Sequence, residues 1–265
     1  VGLGSNNKIV KATFDNGTEV MTGALKPLGT SAGAVLLTGR DEDLGAETYV
    51  LDRNLASQRM AECLGVHVIA GGVPAQTAQG KPALLMELVH GDSVADRVDA
   101  GKEVLDGPEL RRGLVGLQVV DILTGQIDRN LANIMLKRES GRDIPVGIDN
   151  DLSFVTAASV EELHTFVNRE AKPVGMPVVL DQSMRQQIMR MTRHDLVAVM
   201  GPNLATAGRL EAAAARLSAL QAHIASGAVM VIEDSAWQHP QVPHLLNQNA
   251  DNYWHQAMHA RPETT

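Results

Sequence analysis

The chain has 265 residues, 44% of them hydrophobic but only 3% aromatic, enough for one two-lobed domain or two small ones with a core of aliphatic and Met side chains. A formal net charge of -8 argues against a broad nucleic-acid footprint and against a polybasic membrane-docking surface. Cys63 is the single cysteine, which excludes an intrachain disulfide, and no apolar run approaches the roughly 18 residues that span a bilayer.

The chain begins with Val rather than Met and shows no signal peptide, so a piece cut or processed from something longer is expected. Val1 to Asn7, VGLGSNN, is Gly-rich and small. Lys8 to Phe14 alternates as a strand does, Asp15-Asn16-Gly17 is a hairpin turn because Asn-Gly supplies positive φ, and Glu19 to Lys26 reads as the returning strand. Thr30 to Gly45 is small and polar and reads as a loop. Glu47 to Leu64 is a predicted helix, with Leu51, Leu55, Met60, Cys63 and Leu64 on or near one face and Gly65 as its stop. Cys63 would then face the core, a poor place for a nucleophile.

Val66 to Ile69 and Ala83 to Leu88 are short apolar runs that suit buried strands, joined by the Gly-, Pro- and Gln-rich connection Ala70 to Pro82. Met86-Glu87-Leu88 leads to a turn at Gly91. Ser93 to Arg112 is charged and in part helical, with Pro108 at a helix start. Leu110 to Leu123 carries a long apolar face through Leu114, Leu117 and Val120, and Gly125 ends it.

Further on, Val160 to Arg169 reads as an amphipathic helix and Val174 to Pro177 as a turn. Gln182 to Met191 is a predicted helix, and Leu204 to Ser226 is a long Ala-rich one with apolar spacing at Leu210, Ala214, Leu217, Leu220 and Ile224. Val229 to Ile232 is a short apolar run, and Gln248 to Thr265 reads as a polar, frayed tail. His255 and His259 would share a helix face, the spacing of a zinc pair, but no acid or cysteine completes such a site, and they are read as surface histidines.

The chemistry is concentrated in Asp121 to Phe154, DILTGQIDRNLANIMLKRESGRDIPVGIDNDLSF. Asn133 follows Asp128-Arg129 at five residues from the aspartate. The apolar run Ile134-Met135-Leu136, a polar Gly-containing turn, a second apolar run from Ile144 to Ile148, and Asp149 come next. Phosphoryl transfer uses such a pattern. One carboxylate orients or deprotonates the attacking hydroxyl, while an amide and a second carboxylate on neighbouring strands hold the Mg²⁺ that bridges ATP phosphates. Surface acids in an ordinary hairpin are the plainer alternative. Other chemistries do not assemble: there is no G-x-S-x-G elbow and no Walker A sequence.

DRNLANIML followed by GIDNDLSF resembles the catalytic and metal-binding loops of the phosphatidylinositol 3-/4-kinase branch of the protein-kinase-like superfamily, the type II phosphatidylinositol 4-kinases and bacterial secreted effector kinases in particular. Asp149 is followed by Asn150-Asp151 rather than Phe-Gly, and Asn130 stands where the family has His. The resemblance implies an α+β, two-lobed protein-kinase-like fold whose first strand would lie before Val1, unless this fold begins differently. A small β-rich N-lobe would span 1–88, a helical C-lobe 89–247 and a polar tail 248–265.

The same resemblance assigns roles. Gly2, Gly4 and Ser5 would cover the ATP phosphates, and Lys26, in Lys26-Pro27, would reach them. The backbone at Glu87 and Leu88 would meet adenine. Asp128 would act on the acceptor hydroxyl, with Asn133 and Asp149 as Mg²⁺ ligands. A kinase also needs an acid on the first helix to pair with the strand lysine; that position reads Asp52-Arg53-Asn54, with Glu47 and Asp52 as candidates.

Thr156 to Lys172 would be the activation segment. Its Glu161, Glu162 and Glu170 beside Arg169 and Lys172 favour a protein Ser/Thr acceptor over a phosphoinositide. The implied setting is a bacterial effector acting in host cytoplasm with a host activator protein, and no nucleic-acid partner. Two alternatives stay open: a pseudokinase binding module, and a nucleotidyltransferase on the same scaffold.

Overall fold

The computed structural model describes residues 9–15, 20–28, 48–154, 160 and 174–261. The glycine-rich start, the loop after Leu28, Glu47 and most of the expected activation segment lie outside the described residues.

Strands β1 (Val10–Asp15) and β2 (Val20–Pro27) pair antiparallel from Val10↔Leu25 to Asp15↔Val20, the hairpin that Asn16-Gly17 announces, although those two residues are outside the described set. Helix α1 (Thr48–Cys63) follows, then β3 (Gly72–Gln76) and β4 (Pro82–Glu87), giving one antiparallel sheet in the order β1-β2-β4-β3. Two expectations fail here. Val66 to Ile69 is not a strand; it contributes one parallel bridge, Ile69↔Gly147. The partner of β4 is instead Gly72–Gln76, from the stretch read as connection, and the true turn is Thr77 to Lys81, closed by Thr77 N–H on the Lys81 carbonyl at 2.8 Å. β3 is an edge strand, exposed at Val73, Pro74 and Gln76, so it needs no apolar alternation and tolerates a proline.

α1 packs on α3 (Pro108–Thr124) and α5 (Arg193–Leu204) and touches β3 and β4. Its buried stripe is Val50, Arg53, Asn54, Ala56, Ser57, Met60 and Ala61, with Leu64 just beyond. That stripe is rotated from the expected one, so Cys63 is exposed rather than buried. The rotation has a cause: the helix turns a polar patch inward.

A second sheet, β5 (Gly91–Ser93), β6 (Ile134–Glu139) and β7 (Arg142–Gly147), is antiparallel in that order. Gly91 is thus a strand residue, not a turn. A Cβ there would lie 2.2 Å from the Leu136 carbonyl oxygen, so the close strand approach requires glycine. Ser93 caps the short α2 (Val94–Asp99) in a capping box with Asp96. α3 starts on Pro108 and stops at Gly125, which takes the left-handed conformation (φ 63°) that Gly adopts without strain. Every residue from Leu114 to Ile127 is buried, so α3 is the central post of the larger, mainly helical part.

The remainder is β8 (Val179–Asp181), α4 (Gln182–Arg190), α5, α6 (Ala207–Ala225), β9 (Met230–Ile232), α7 (Gln241–Gln248) and α8 (Tyr253–His259), with β8 and β9 paired in parallel. Leu204 ends α5 rather than opening the Ala-rich helix. α5 escaped the periodicity reading because Gly201 and Pro202 kink it. The stretch expected as a polar tail contains α8, whose Tyr253, Trp254 and Ala257 are buried, with α8 lying against α3. Two aromatic side chains outweigh the polar composition around them. The chain is therefore α+β, a small β-rich part followed by a larger helical part. Among the described residues no helix is long and apolar enough to cross a membrane.

Candidate active site

Lys26 sits near the end of β2 opposite Leu84 and, like Ala24 two residues earlier, is buried. Its side chain is 1% exposed, and its Nζ donates to Asp149 Oδ1 at 2.8 Å and to Asp151 Oδ2 at 2.5 Å. Both carboxylates follow β7, more than 120 residues away in sequence. Burial alone would lower the Lys26 pKa, but the charges of Asp151 and Asp149 outweigh it and the pKa rises, so the ammonium stays charged. Burial, with Asp149 beside it, pushes the Asp151 carboxyl up, and Lys26 opposes that shift.

Asp149 is half-exposed and lies in the left-handed region (φ 56°), uncommon for a non-glycine residue. The residue before it, Ile148, donates its N–H to the Asn133 carbonyl at 3.0 Å, so Asn133 and Asp149 come off adjacent strand ends. Asn133 ends a 3₁₀ turn (Leu131–Asn133) capped by Asn130, whose Oδ1 accepts from Ala132 and Asn133 N–H. Asn130 thus serves the loop as a cap. The Asn133 amide nitrogen donates to the Asp128 carbonyl at 3.0 Å, which orients the amide and leaves its oxygen able to accept.

Asp128 is half-buried, and its N–H donates to Gln126 Oε1 at 3.1 Å. The other end of the same amide, Gln126 Nε2, donates to the Asp149 carbonyl at 3.2 Å. One buried side chain therefore ties the loop of Asp128 to the loop of Asp149. Arg129 does the same from beneath. It pairs with Asp121 at 2.9 Å and donates to the carbonyls of Asn133 (3.2 Å) and Ile148 (2.5 Å) and to Asn150 Oδ1 (2.6 Å).

The polar stripe of α1 meets the segment after Asp149. Asn54 Nδ2 donates to Asp151 Oδ1 at 2.9 Å and Asn54 Oδ1 accepts from Asn150 N–H at 3.3 Å. Arg53 donates to the Asp151 carbonyl at 2.9 Å, and Ser57 Oγ donates to Ser153 Oγ at 3.0 Å. Asp52, a candidate acid for Lys26, instead accepts from Asn203 on α5 at 3.0 Å. It points away from the cluster because it lies just outside the stripe of Arg53, Asn54 and Ser57.

Lys26, Asp128, Asn133 and Asp149 thus stand on one connected network. Glu87 is exposed at the end of β4, and its N–H is taken up by the Gly71 carbonyl at 2.7 Å; Leu88 is half-buried. Gly2, Gly4 and Ser5 lie outside the described residues. Sequence reasoning missed Asp151, Asn54, Gln126 and the bracing role of Arg129. Asp151 and Arg129 stood inside the motif; nothing in the pattern marked Asn54 or Gln126.

The donor set suits Mg²⁺, a hard cation that takes one or two carboxylates, retains waters and accepts phosphate oxygens. An amide oxygen and a half-exposed carboxylate on neighbouring strands, beside a buried ammonium, fit that ion together with a polyphosphate. Among the described residues no group of three or more His, Cys, Asp and Glu side chains is placed to hold a metal ion by itself. The rings of His255 and His259 lie 4.3 Å apart, tilted by 42°, and His259 bonds Asn247 on the surface.

No family model matches the chain, and no curated protein matches it. Among solved structures it is similar to the Helicobacter pylori proinflammatory kinase CtkA, with 10% identity and a TM-score of 0.46 over 91% of this chain and 98% of that one. It is also similar to a chain in the Shewanella oneidensis MR-1 toxin–antitoxin complex of HipA, HipB and operator DNA. That match has 12% identity and a TM-score of 0.38 over 84% of this chain and 64% of the other. Likeness of this degree leaves function to be read from the site itself.

Proposed function

We propose that the chain is an ATP- and Mg²⁺-dependent phosphotransferase that moves the γ-phosphoryl group to a hydroxyl. The observation that carries this reading is the meeting of Lys26 from the first sheet with Asp149 just beyond the second, 2.8 Å apart, on one hydrogen-bonded network with Asn133 and Asp128. Bound Mg²⁺ would supply positive charge that offsets the charge developing on the phosphates. Asn133 Oδ1 and the Asp149 carboxylate would hold it. Lys26 would turn its ammonium toward the α- and β-phosphates. Asp128 would orient the acceptor hydroxyl and take its proton as the new O–P bond forms and the bond to the β-phosphate oxygen breaks. The division at about residue 88, with the cleft between the two parts, belongs to the same proposal.

Within this reading the phosphatidylinositol-kinase branch and the effector setting follow from the loop resemblance alone. A protein Ser/Thr acceptor is preferred and a phosphoinositide comes second, on the mixed charge of residues 156–172. A binding module without turnover is the second reading. A helix without a glutamate at the expected position favours it, but Asp151 pairs with Lys26 in place of such an acid.

The test is incubation with γ-labelled and, separately, α-labelled ATP plus Mg²⁺, offering host-cell proteins and mixed phosphoinositides, with Asp149→Ala as control. Label from the γ position alone, lost in the variant, is the expected result. Label from the α position means nucleotidyl transfer, and no label despite ATP binding means the second reading.

A further inference from the structure

Asp149 and Asp151 both reach Lys26, yet their surroundings differ. Asp149 is 42% exposed and, among the described residues, gives only Oδ1 to the ammonium. Asp151 is 12% exposed, with Oδ2 on Lys26 and Oδ1 on Asn54. A Mg²⁺ ligand must offer a carboxylate oxygen to an ion that also meets phosphate and water. Asp149 has such an oxygen; Asp151 has both oxygens engaged inside the protein.

Helix α1 is built around Asp151 rather than around Lys26. Arg53 and Asn54 bond Asp151 itself, Asn54 also bonds Asn150 N–H, and Ser57 bonds Ser153. An amide at position 54 donates to the carboxylate and accepts from the backbone at once. A glutamate could only accept, and it would crowd a third carboxylate around one ammonium. No acid of α1 among the described residues faces the cluster: Asp52 is held by Asn203 and Glu62 is exposed on the last turn.

We propose that Asp151 is the positioning residue for Lys26, supplying from the metal-loop side the anchoring carboxylate that protein kinases take from a helix glutamate, and leaving Asp149 to the metal. The acid has moved across the contact between α1 and residues 150–153, and Asn54 is the complement of that move. This inference rests on the phosphotransferase reading, and it predicts a division of labour that binding alone reveals.

The experiment measures displacement of a fluorescent ATP analogue by ATP, with and without Mg²⁺, and in parallel kcat and KM. The proteins are wild type, Asp149→Asn, Asp151→Asn and the double variant Asp151→Asn with Asn54→Glu. Mg²⁺ should tighten nucleotide binding to wild type, and Asp149→Asn should abolish that gain. Asp151→Asn should keep it while kcat falls about 10²-fold, the scale of a misplaced catalytic group. The double variant, with an acid restored from the helix side, should recover at least about a tenth of the wild-type rate, which a merely structural loss would not allow.

Loss of the Mg²⁺ gain in Asp151→Asn overturns the proposal, because Asp151 would then be a metal ligand. Wild-type kcat in Asp151→Asn overturns it too, as does a double variant no faster than Asp151→Asn. A wild type that binds nucleotide but transfers no phosphoryl group defeats the phosphotransferase reading alone, and the Mg²⁺ comparison still decides the roles of the two carboxylates. A wild type that binds no nucleotide defeats both.

Discussion

Tyr253 on α8 and Asp121 on α3 meet through a 2.8 Å hydrogen bond from the phenol to Oδ2, across 132 residues of sequence. The same carboxylate holds the buried Arg129, which in turn holds the carbonyls of Asn133 and Ile148. The last helix is therefore wired to the floor of the candidate site. Removing the phenol hydroxyl leaves Asp121 its arginine, so Tyr253→Phe should cost about 1 kcal/mol. Asp121→Ala strands a buried guanidinium and should cost about 3–5 kcal/mol. Urea unfolding of both variants checks the order, and equal costs would mean that Arg129 does not depend on Asp121.

The phenol also sets an alkaline limit. Burial first, then the charge of Asp121, push the Tyr253 pKa well above its ordinary value, against the opposing pull of Arg129. The group is neutral in the fold and ionises in the unfolded chain near pH 10. Its folded pKa is the higher one, so its contribution is complete below about pH 10 and is lost as pH rises beyond that. Wild type should therefore lose more stability between pH 9 and pH 11 than Tyr253→Phe does, measured by urea unfolding at each pH. A parallel decline in the two proteins would show that Tyr253 titrates normally.

Asp128→Ala and Asp149→Ala should each reduce phosphoryl transfer by at least about 10²-fold, the scale of a lost acid–base group for the first and of lost electrostatic stabilisation for the second. Neither should unfold the chain, since both side chains are partly exposed. Labelled-ATP turnover and circular dichroism report the two quantities separately. An unfolded Asp149→Ala protein would make that carboxylate structural.

Gln126 predicts a loss of a different kind. Gln126→Ala leaves the Asp128 N–H and the Asp149 carbonyl without their bridging amide. Stability should fall by about 1–3 kcal/mol, the cost of buried groups left unsatisfied. Turnover should fall as well, because two loops lose their common brace, while nucleotide binding through Lys26 persists. Unchanged turnover in a folded variant would show that the loops hold their places without it.

Gly91→Ala tests the close approach of β5 to β6. The added methyl would meet the Leu136 backbone, which cannot rotate away, so the strands must separate. A loss of about 1–3 kcal/mol is expected, typical of overpacking. Thermal unfolding measures it, and a neutral result would mean that β5 can shift at no cost.

Much of this architecture was legible in the sequence because local rules wrote it. Asn16-Gly17 implied the first hairpin, Pro108 and Gly125 bounded α3, and the spacing of Asp128, Asn133 and Asp149 implied two loops on adjacent strands. Each signal depends on residues close in sequence, where turn chemistry and side-chain period act directly. The failures share a cause as well. β3 is an exposed edge with no pattern to read, α5 is broken by Gly201 and Pro202, and α8 is short and polar apart from the aromatics that dock it.

What the sequence by itself determined is the inventory: a strand lysine, an Asp-Arg pair with an amide five residues after the aspartate, an acid after the next apolar run, and a helix without a glutamate at the expected position. Only the tertiary structure decided which groups meet. It rotated α1 so that Arg53, Asn54 and Ser57 face inward and Asp52 faces α5, and it set Asp151 rather than a helix acid beside Lys26. The physical reason is that a buried ammonium must find charged partners wherever packing brings them. Here they come from a strand end more than 120 residues away, at a separation no local pattern encodes.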